Sequence, residues 1–173
     1  ANEFIPLLSN NPQILNDGSI HFQQDIDSYL CARIIDFIRM KFLRLKISFT
    51  FETVMSHSSK VDFLKEAQKQ GFKTYLYYVA TVNPEINIAR VQYRVSIGGH
   101  PVPEQKIRDR YYRSLDLLMQ AVEVTDRTYL FDNSSDGEKA AFLAEIEQAE
   151  VLKLNENMTE FPLWFVEKVL SDF

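Results

Sequence analysis

The chain has 173 residues, of which 46% are hydrophobic and 25% charged, which is typical of one globular domain and excludes an intrinsically disordered chain. Its single cysteine, Cys31, excludes an internal disulfide framework, and its net charge of −5 argues against a general nucleic-acid-binding protein. Because no apolar run approaches the ~20 residues of a membrane span and the N-terminus has no basic leader, we expect a cytoplasmic protein that binds neither membranes nor nucleic acid.

Helical and extended spacings of apolar residues alternate along the chain. The predicted elements, in chain order, are a helix over 26–45, a strand over 47–51, a helix over 58–70, a strand over 74–80, helices over 84–96 and 103–124, a strand over 128–131 and a short helix over 161–170. The continuous apolar runs at 74–80 and 128–131 indicate strands that are buried on both faces. Residues 139–154 fit a helix by propensity and a hairpin by alternation.

This order of strands and helices is the pattern of an α/β domain. Right-handed crossovers would place the three strands in one mostly parallel sheet with flanking helices. Ligands of such sheets bind beyond the carboxyl ends of the strands. The rule points to the segments that begin at Glu52, Thr81 and Asp132.

Two kinds of charged residue could carry chemistry. Glu52 directly follows a predicted strand, where α/β enzymes place acids, bases and contacts to substrate hydroxyls; a solvated glutamate at a strand end is the alternative. Five arginines fall between Arg90 and Arg113, and Arg90 and Arg94 share one helix face. Arginine suits bidentate contacts to phosphate, although salt bridges with neighbouring acidic residues are the alternative.

Other sites receive little support. Gly98 and Gly99 precede His100 in a tight turn between two predicted helices. The other two histidines, His21 and His57, have no spacing that would form a zinc site with His100, so we predict no metal site. The Gly-x-Ser-x-Gly turn of a serine hydrolase does not occur.

Several short motifs together resemble one known family. In chain order they are Phe51-Glu52-Thr53, Arg90-Val91 with Arg94-Val95, Gly98-Gly99-His100-Pro101-Val102-Pro103, and Phe131-Asp132-Asn133-Ser134. This series resembles the zeta-toxin-like family of bacterial P-loop kinases, and the match runs from residue 1 to about residue 170. The resemblance implies a single kinase domain over 1–173 with the P-loop NTPase fold.

The resemblance also implies an activity and roles for residues. Members of the family use ATP and Mg²⁺ to phosphorylate a sugar hydroxyl of UDP-N-acetylglucosamine, a small-molecule acceptor. Glu52 falls on the glutamate that helps to hold the acceptor, and Arg90 and Arg94 fall on arginines that neutralise the transferring phosphates. The remaining candidates are Thr53, His100, Arg108 and Arg110 for the substrate and Asn133 for the nucleotide.

The sequence departs from the family at two points. The Walker A pattern Gly-x-x-x-x-Gly-Lys-Ser/Thr occurs nowhere, so the first strand and the phosphate loop of the fold are missing from these residues. In addition, Asn2 stands where the family has the aspartate that acts as catalytic base, and Glu3 is the neighbouring carboxylate. We therefore predict little or no turnover by this chain alone.

Two alternatives remain open beside the kinase. The chain could be a non-catalytic binding module, in which a partner or a second copy covers the sheet edge left open by the missing strand. It could also belong to an ATPase that needs no acceptor.

Overall fold

The computed structural model describes residues 13–17, 20–21 and 28–173. Its helices are α1 (Ser28–Arg44), α2 (Ser59–Lys69), α3 (Pro84–Ser96), α4 (Glu104–Asp116), α5 (Leu118–Val122) and α6 (Leu163–Lys168). Its strands are β1 (Gln13–Ile14), β2 (Ile20–His21), β3 (Tyr75–Ala80), β4 (Arg127–Asp132), β5 (Ala141–Glu147) and β6 (Val151–Leu154). Backbone contacts group the chain into two compact units, residues 1–49 and 50–173.

In the first unit, β1 and β2 form a short antiparallel pair, and α1 confirms the helix predicted over 26–45. After α1 the backbone turns back at Lys46, which has a positive φ of 56°. Ile47 N then donates a hydrogen bond to Phe42 O at 3.0 Å, and the rings of Phe42 and Phe49 lie 5.3 Å apart.

The strand predicted over 47–51 is wrong. Those residues have no regular secondary structure, and no described strand pairs with them. A β-branched and aromatic run favours an extended backbone, but a strand also needs a neighbour to accept and donate its ladder hydrogen bonds.

The second unit contains a four-stranded sheet in the order β3-β4-β5-β6. Strands β3 and β4 are parallel, whereas β5 pairs antiparallel with both β4 and β6. The α/β class with flanking helices is therefore confirmed, but the prediction of a mostly parallel sheet is wrong. The reason lies in residues 139–154, which form the β5–β6 hairpin, and a hairpin is antiparallel by construction.

Strand β5 carries a β-bulge. Phe131 pairs with Phe142, whereas Leu130 pairs with Ala144, so β5 has one more residue than β4 between these two pairs. The extra residue is Leu143, and it is completely buried, as is Ala144. Two successive residues of β5 therefore contribute to the core, which strict alternation forbids.

One face of the sheet carries the core. Its largest completely buried side chains include Leu130, Leu143 and Phe165. Helices α5 and α6 cover this face, and every member of the buried cluster lies between Met55 and Val169. The second unit therefore has a hydrophobic core of its own.

The other face of the sheet is open at β3. Tyr75, Tyr77 and Val79 are 52%, 65% and 54% exposed, so the prediction that this strand is buried on both faces is wrong. The Tyr77 ring stacks on Tyr129 of β4 at 5.0 Å, and this contact partly covers Tyr129. Among the described residues, no strand pairs with the outer edge of β3.

The helix predictions of this unit are confirmed with one change. Helix α3 has the predicted bounds, and α2 and α6 lie within the predicted ranges. The single helix predicted over 103–124 is divided into α4 and α5 at Leu117. No described helix is both long and apolar enough to cross a bilayer.

Candidate functional site

The carboxyl ends of β3 and β4 meet, because these strands are parallel neighbours. Asn133 N donates to Ala80 O at 2.7 Å, and Val82 N donates to the Ser134 hydroxyl at 2.8 Å. The two loops that follow the strands are thus joined side by side. This is the edge of the sheet at which α/β proteins bind their ligands.

Thr81 links the loop after β3 to helices α3 and α4. Its hydroxyl donates to Asn83 O at 2.9 Å and accepts a hydrogen bond from Asn87 Nδ2 at 3.0 Å. The Tyr111 hydroxyl donates to Thr81 O at 2.8 Å. Burial, together with nearby Tyr112 and Asp132, raises the pKa of Tyr111 to about 12, so this donor keeps its proton at neutral pH.

Asp132 contacts both the loop after β4 and helix α6. Its Oδ1 accepts a hydrogen bond from Ser134 N at 2.9 Å, and its Oδ2 accepts one from Trp164 Nε1 at 2.8 Å. Trp164 belongs to α6 and is 4% exposed. Both carboxylate oxygens are therefore used for structure at this position.

Arg90 lies at the predicted site, on α3. Its Nη1 donates to Asn133 O at 2.8 Å, and its Nη2 lies 3.0 Å from Asp136 Oδ1 and 3.4 Å from Ser135 O. The guanidinium thus shapes the loop 133–136, and it brings the predicted residues Arg90 and Asn133 together. In this arrangement Arg90 positions a loop, and few of its donors remain for a phosphate.

Arg94 lies one turn further along α3, beside the glycine turn. Gly98 has a positive φ of 97°, and Gly99 N donates to Arg94 O at 2.8 Å. A Cβ on Gly99 would lie 2.7 Å from Arg94 Cγ, so only glycine allows this close approach. Arg94 and His100 are exposed, and no described residue forms an ion pair with Arg94.

The two candidate arginines of α4 differ in their surroundings. Arg108 forms a two-point salt bridge with Glu85, which joins α4 to the first turn of α3. Arg110 is half-buried, and within the described part of the chain it has no ion-pair partner. The salt-bridge alternative therefore applies to Arg108 and, through Asp136, to Arg90. Arg94 and Arg110 form no ion pair with a described residue.

Glu52 and Thr53 lie in the exposed segment before α2. Thr53 Oγ1 accepts a hydrogen bond from Met55 N at 3.3 Å. Met55 has a positive φ of 52°, yet it is 4% exposed and belongs to the core. Its side chain fixes the segment, but no described contact joins Glu52 to the two strand ends. Asn2 and Glu3 lie outside the described residues.

The described residues do not fit the phosphate cradle of a P-loop kinase. The Walker A residues are absent from the sequence. Over 13–17, 20–21 and 28–173, no three or more histidine, cysteine, aspartate or glutamate side chains are grouped so that they could hold a metal ion.

Sequence reasoning missed three residues that build this site. Asn83 caps α3, because its Oδ1 accepts hydrogen bonds from Glu85 N at 3.0 Å and Ile86 N at 3.3 Å. The Asn83-Pro84 pair is a recognised helix start and could have revealed this cap. Asn87 and Tyr111 gave no such signal, because their contacts to Thr81 depend on how the helices pack.

Comparisons with known proteins leave the family open. No protein-family model matches the chain, and no solved structure matches it. A protein of Haemophilus influenzae, described only as an uncharacterized protein, is 35% identical over 69 residues. The match covers 40% of this chain and 49% of that protein, so the chain matches about half the length of this relative.

Proposed function

We propose that this chain is part of an ATP-dependent phosphotransferase of the zeta-toxin type, which acts on a hydroxyl of a nucleotide-sugar-like acceptor such as UDP-N-acetylglucosamine. The observation that carries the proposal is the junction of the β3 and β4 loops beneath the arginine-bearing helices α3 and α4. The resemblance of these same segments to the family supports it.

Phosphoryl transfer depends mainly on positioning and on neutralising the charge that develops on the phosphate oxygens. Arg94 and Arg110 are the candidates for that neutralisation, because neither forms an ion pair with a described residue. Arg90 and Arg108 act as positioning residues through the 133–136 loop and Glu85. Glu52 would accept a hydrogen bond from a hydroxyl of the molecule that is phosphorylated.

ATP would supply the phosphoryl group, and Mg²⁺ would offset the charge of its phosphates. Because the phosphate cradle is absent from this sequence, the proposal requires a Walker A loop from outside these 173 residues. Among the described residues no strand pairs with the outer edge of β3, and this supports the arrangement. A parallel strand added at that edge would end beside Thr81, next to the two strand-end loops.

A second candidate function follows from the same edge. If no Walker A strand exists, the chain is a non-catalytic module, and its exposed β3 is covered by a partner or by a second copy. The exposed side chains Tyr75, Tyr77 and Val79 favour this candidate. An unprotected strand edge of this kind promotes pairing with another chain.

Calorimetric titration of Mg²⁺–ATP would be made into the 173-residue chain and into the same chain extended upstream in its gene. We expect binding by the extended form alone. ³¹P NMR would then follow phosphate transfer from ATP to UDP-N-acetylglucosamine. Glu52→Gln is expected to lower transfer about tenfold or more with nucleotide affinity unchanged, since it weakens a contact to the acceptor.

Two results would contradict the kinase proposal, and a third would contradict only the prediction that this chain needs a Walker A loop from outside. Failure of both forms to bind ATP would favour the binding module. Phosphate release at the same rate with and without acceptor would favour an ATPase. Clear ATP-dependent phosphorylation by the unextended chain would show that the phosphate cradle lies within the 173 residues after all.

A further inference from the structure

An open groove of about 300 Å³, with Leu117 as its apolar lining residue, lies on the second unit between the residues that precede α2 and the α4–α5 junction. Its polar lining residues are Ser56, His57, Ser58, Arg113, Asp116 and Gln120. None of these residues belongs to the strand-end site. The groove is therefore separate from the strand-end site.

Arg113 is the cation of this groove. Its Nε donates to Asp109 O at 3.1 Å, which fixes the base of the guanidinium against the preceding turn of α4. Among the described residues, no acceptor contacts its two Nη atoms. The terminal N–H groups that make bidentate contacts to phosphate oxygens are therefore free.

His57 adds a donor in a fixed tautomer. Its Nδ1 accepts a hydrogen bond from Ser59 N at 3.2 Å and lies 3.0 Å from the Ser59 hydroxyl. Because a backbone N–H can only donate, Nδ1 carries no proton, and the neutral ring carries its proton on Nε2. Neither the Ser56 nor the Ser58 hydroxyl has a hydrogen-bond partner within the described chain, and Ser58 does not cap α2.

The one carboxylate of the lining is already compensated. Asp116 Oδ1 accepts a hydrogen bond from Lys168 Nζ at 2.7 Å, so this pair adds no net charge. Gln120 Nε2 donates weakly to Asp116 O at 3.4 Å. Among the lining residues, Arg113 thus carries the one positive charge that no described ion pair compensates, and His57, Ser56 and Ser58 add neutral donors.

We propose that this groove binds the phosphate group of a small phosphorylated metabolite. Arg113 Nη1 and Nη2, His57 Nε2 and the two serine hydroxyls are the donors, and a phosphate monoester supplies the acceptors. The volume is at the lower end of the range for small-molecule sites, which suits a sugar phosphate. The proposal does not rest on the kinase function, because the two sites share no residue.

The test is an NMR titration of the ¹⁵N-labelled chain with glucose 1-phosphate, inorganic phosphate and sodium chloride at matched ionic strength. We expect saturable shifts of the His57 and Ser58 amides with glucose 1-phosphate and none with sodium chloride. Arg113→Gln should weaken binding about tenfold or more, because it removes charged hydrogen bonds. Lys106→Gln, an equal charge change at an exposed position of α4, should leave the affinity unchanged.

Each other outcome would overturn the proposal. Equal shifts with sodium chloride would indicate ionic strength alone, and an unchanged affinity in Arg113→Gln would remove the proposed ligand contact. Binding of inorganic phosphate with rejection of the ester would exclude a phosphorylated metabolite. Arg113→Lys keeps the positive charge but loses the paired N–H donors of the guanidinium. An affinity between those of the wild type and Arg113→Gln would show that Arg113→Gln loses phosphate recognition and is not merely misfolded.

Discussion

At the scale of single residues, two tyrosine hydroxyls join α4 to β3. Tyr78 is 7% exposed and shares a 3.1 Å hydrogen bond with Ser114, and Tyr111 donates to Thr81 O one turn earlier on the same helix. Burial raises the pKa of Tyr78 to about 12, while its bond to Ser114 acts in the opposite direction. Both hydroxyls are neutral at physiological pH, so they hold the helix without placing charge in the core.

This pKa predicts a loss of stability at alkaline pH. The unfolded tyrosine ionises near pH 10, whereas the folded one does so near pH 12, so the free energy of unfolding falls between these values, by on the order of 2 kcal/mol. Tyr78→Phe should cost about 1 kcal/mol at pH 8, where it loses the Ser114 bond, and above pH 10 it should lose less stability than the wild type. The remaining alkaline loss comes from Tyr111, whose pKa is also raised to about 12. Urea unfolding at pH 8, 10 and 11 measures both effects.

The control for this prediction is Tyr93→Phe. Tyr93 is 69% exposed, so its replacement should leave the pH dependence as in the wild type. If the stability of Tyr78→Phe falls as steeply as that of the wild type between pH 10 and 11, then groups other than Tyr78 cause the alkaline loss.

The arginines show how far residue roles can be predicted from sequence. The spacing of Arg90 and Arg94 correctly placed both on one helix, and Asn133 does follow a strand, as expected. Their separate roles were not predictable, since Arg90 bonds to residues more than forty positions away. Which arginine keeps a free charge is decided by packing between elements, which a single sequence does not record.

At the scale of elements, the turn between α3 and α4 depends on two glycines for different reasons. Gly98 has a positive φ, and a Cβ added there would meet no other atom. At Gly99 a Cβ would clash with Arg94, so this position has no room for a side chain. The sequence predicted a turn here from the glycine pair. It could not predict which glycine is required by its backbone conformation and which by close packing.

Substitutions at Gly98 separate these causes. Gly98→Ala should destabilise the protein by about 1 kcal/mol, because alanine is strained at φ 97°. Gly98→Asn should cost less, because asparagine tolerates positive φ, and the Cβ of either residue has no neighbouring atom within 4 Å. Urea unfolding of both variants gives the comparison; equal losses would show that backbone strain at this turn is not the cause.

The elements themselves were predictable where local signals agree. Proline, glycine and apolar spacing gave the helices, since these signals act within a few residues. The strand at 47–51 failed for lack of a ladder partner. Residues 139–154 stayed ambiguous because their alanine, leucine and glutamate residues favour a helix while their alternation favours a hairpin, and pairing with β4 decides for the strand.

At the scale of the whole molecule, the buried cluster of the second unit lies wholly between Met55 and Val169. We therefore expect the fragment 50–173 to fold by itself and to unfold in urea in one cooperative transition. Within the fragment, Leu130→Ala should cost about 2–5 kcal/mol, because Leu130 is completely buried in β4. Circular dichroism and urea titration of the fragment 50–173, with and without the Leu130→Ala substitution, test this.

The matched control is Leu163→Ala in the same fragment. Leu163 is 67% exposed, so its truncation should change the unfolding midpoint little. A broad, non-cooperative transition of the unsubstituted fragment would mean that residues before Thr50 are needed to complete the core.

The bulge in β5 also bears on how this protein can change length during evolution. Deleting Leu143 restores strict alternation, and Phe142 and Ala144 remain opposite Phe131 and Leu130 with their faces unchanged. Deleting Ile146 instead moves Glu145 or Glu147 into the core position that Ile146 occupies. Homologues that are one residue shorter in this hairpin should therefore have lost the residue at the bulge.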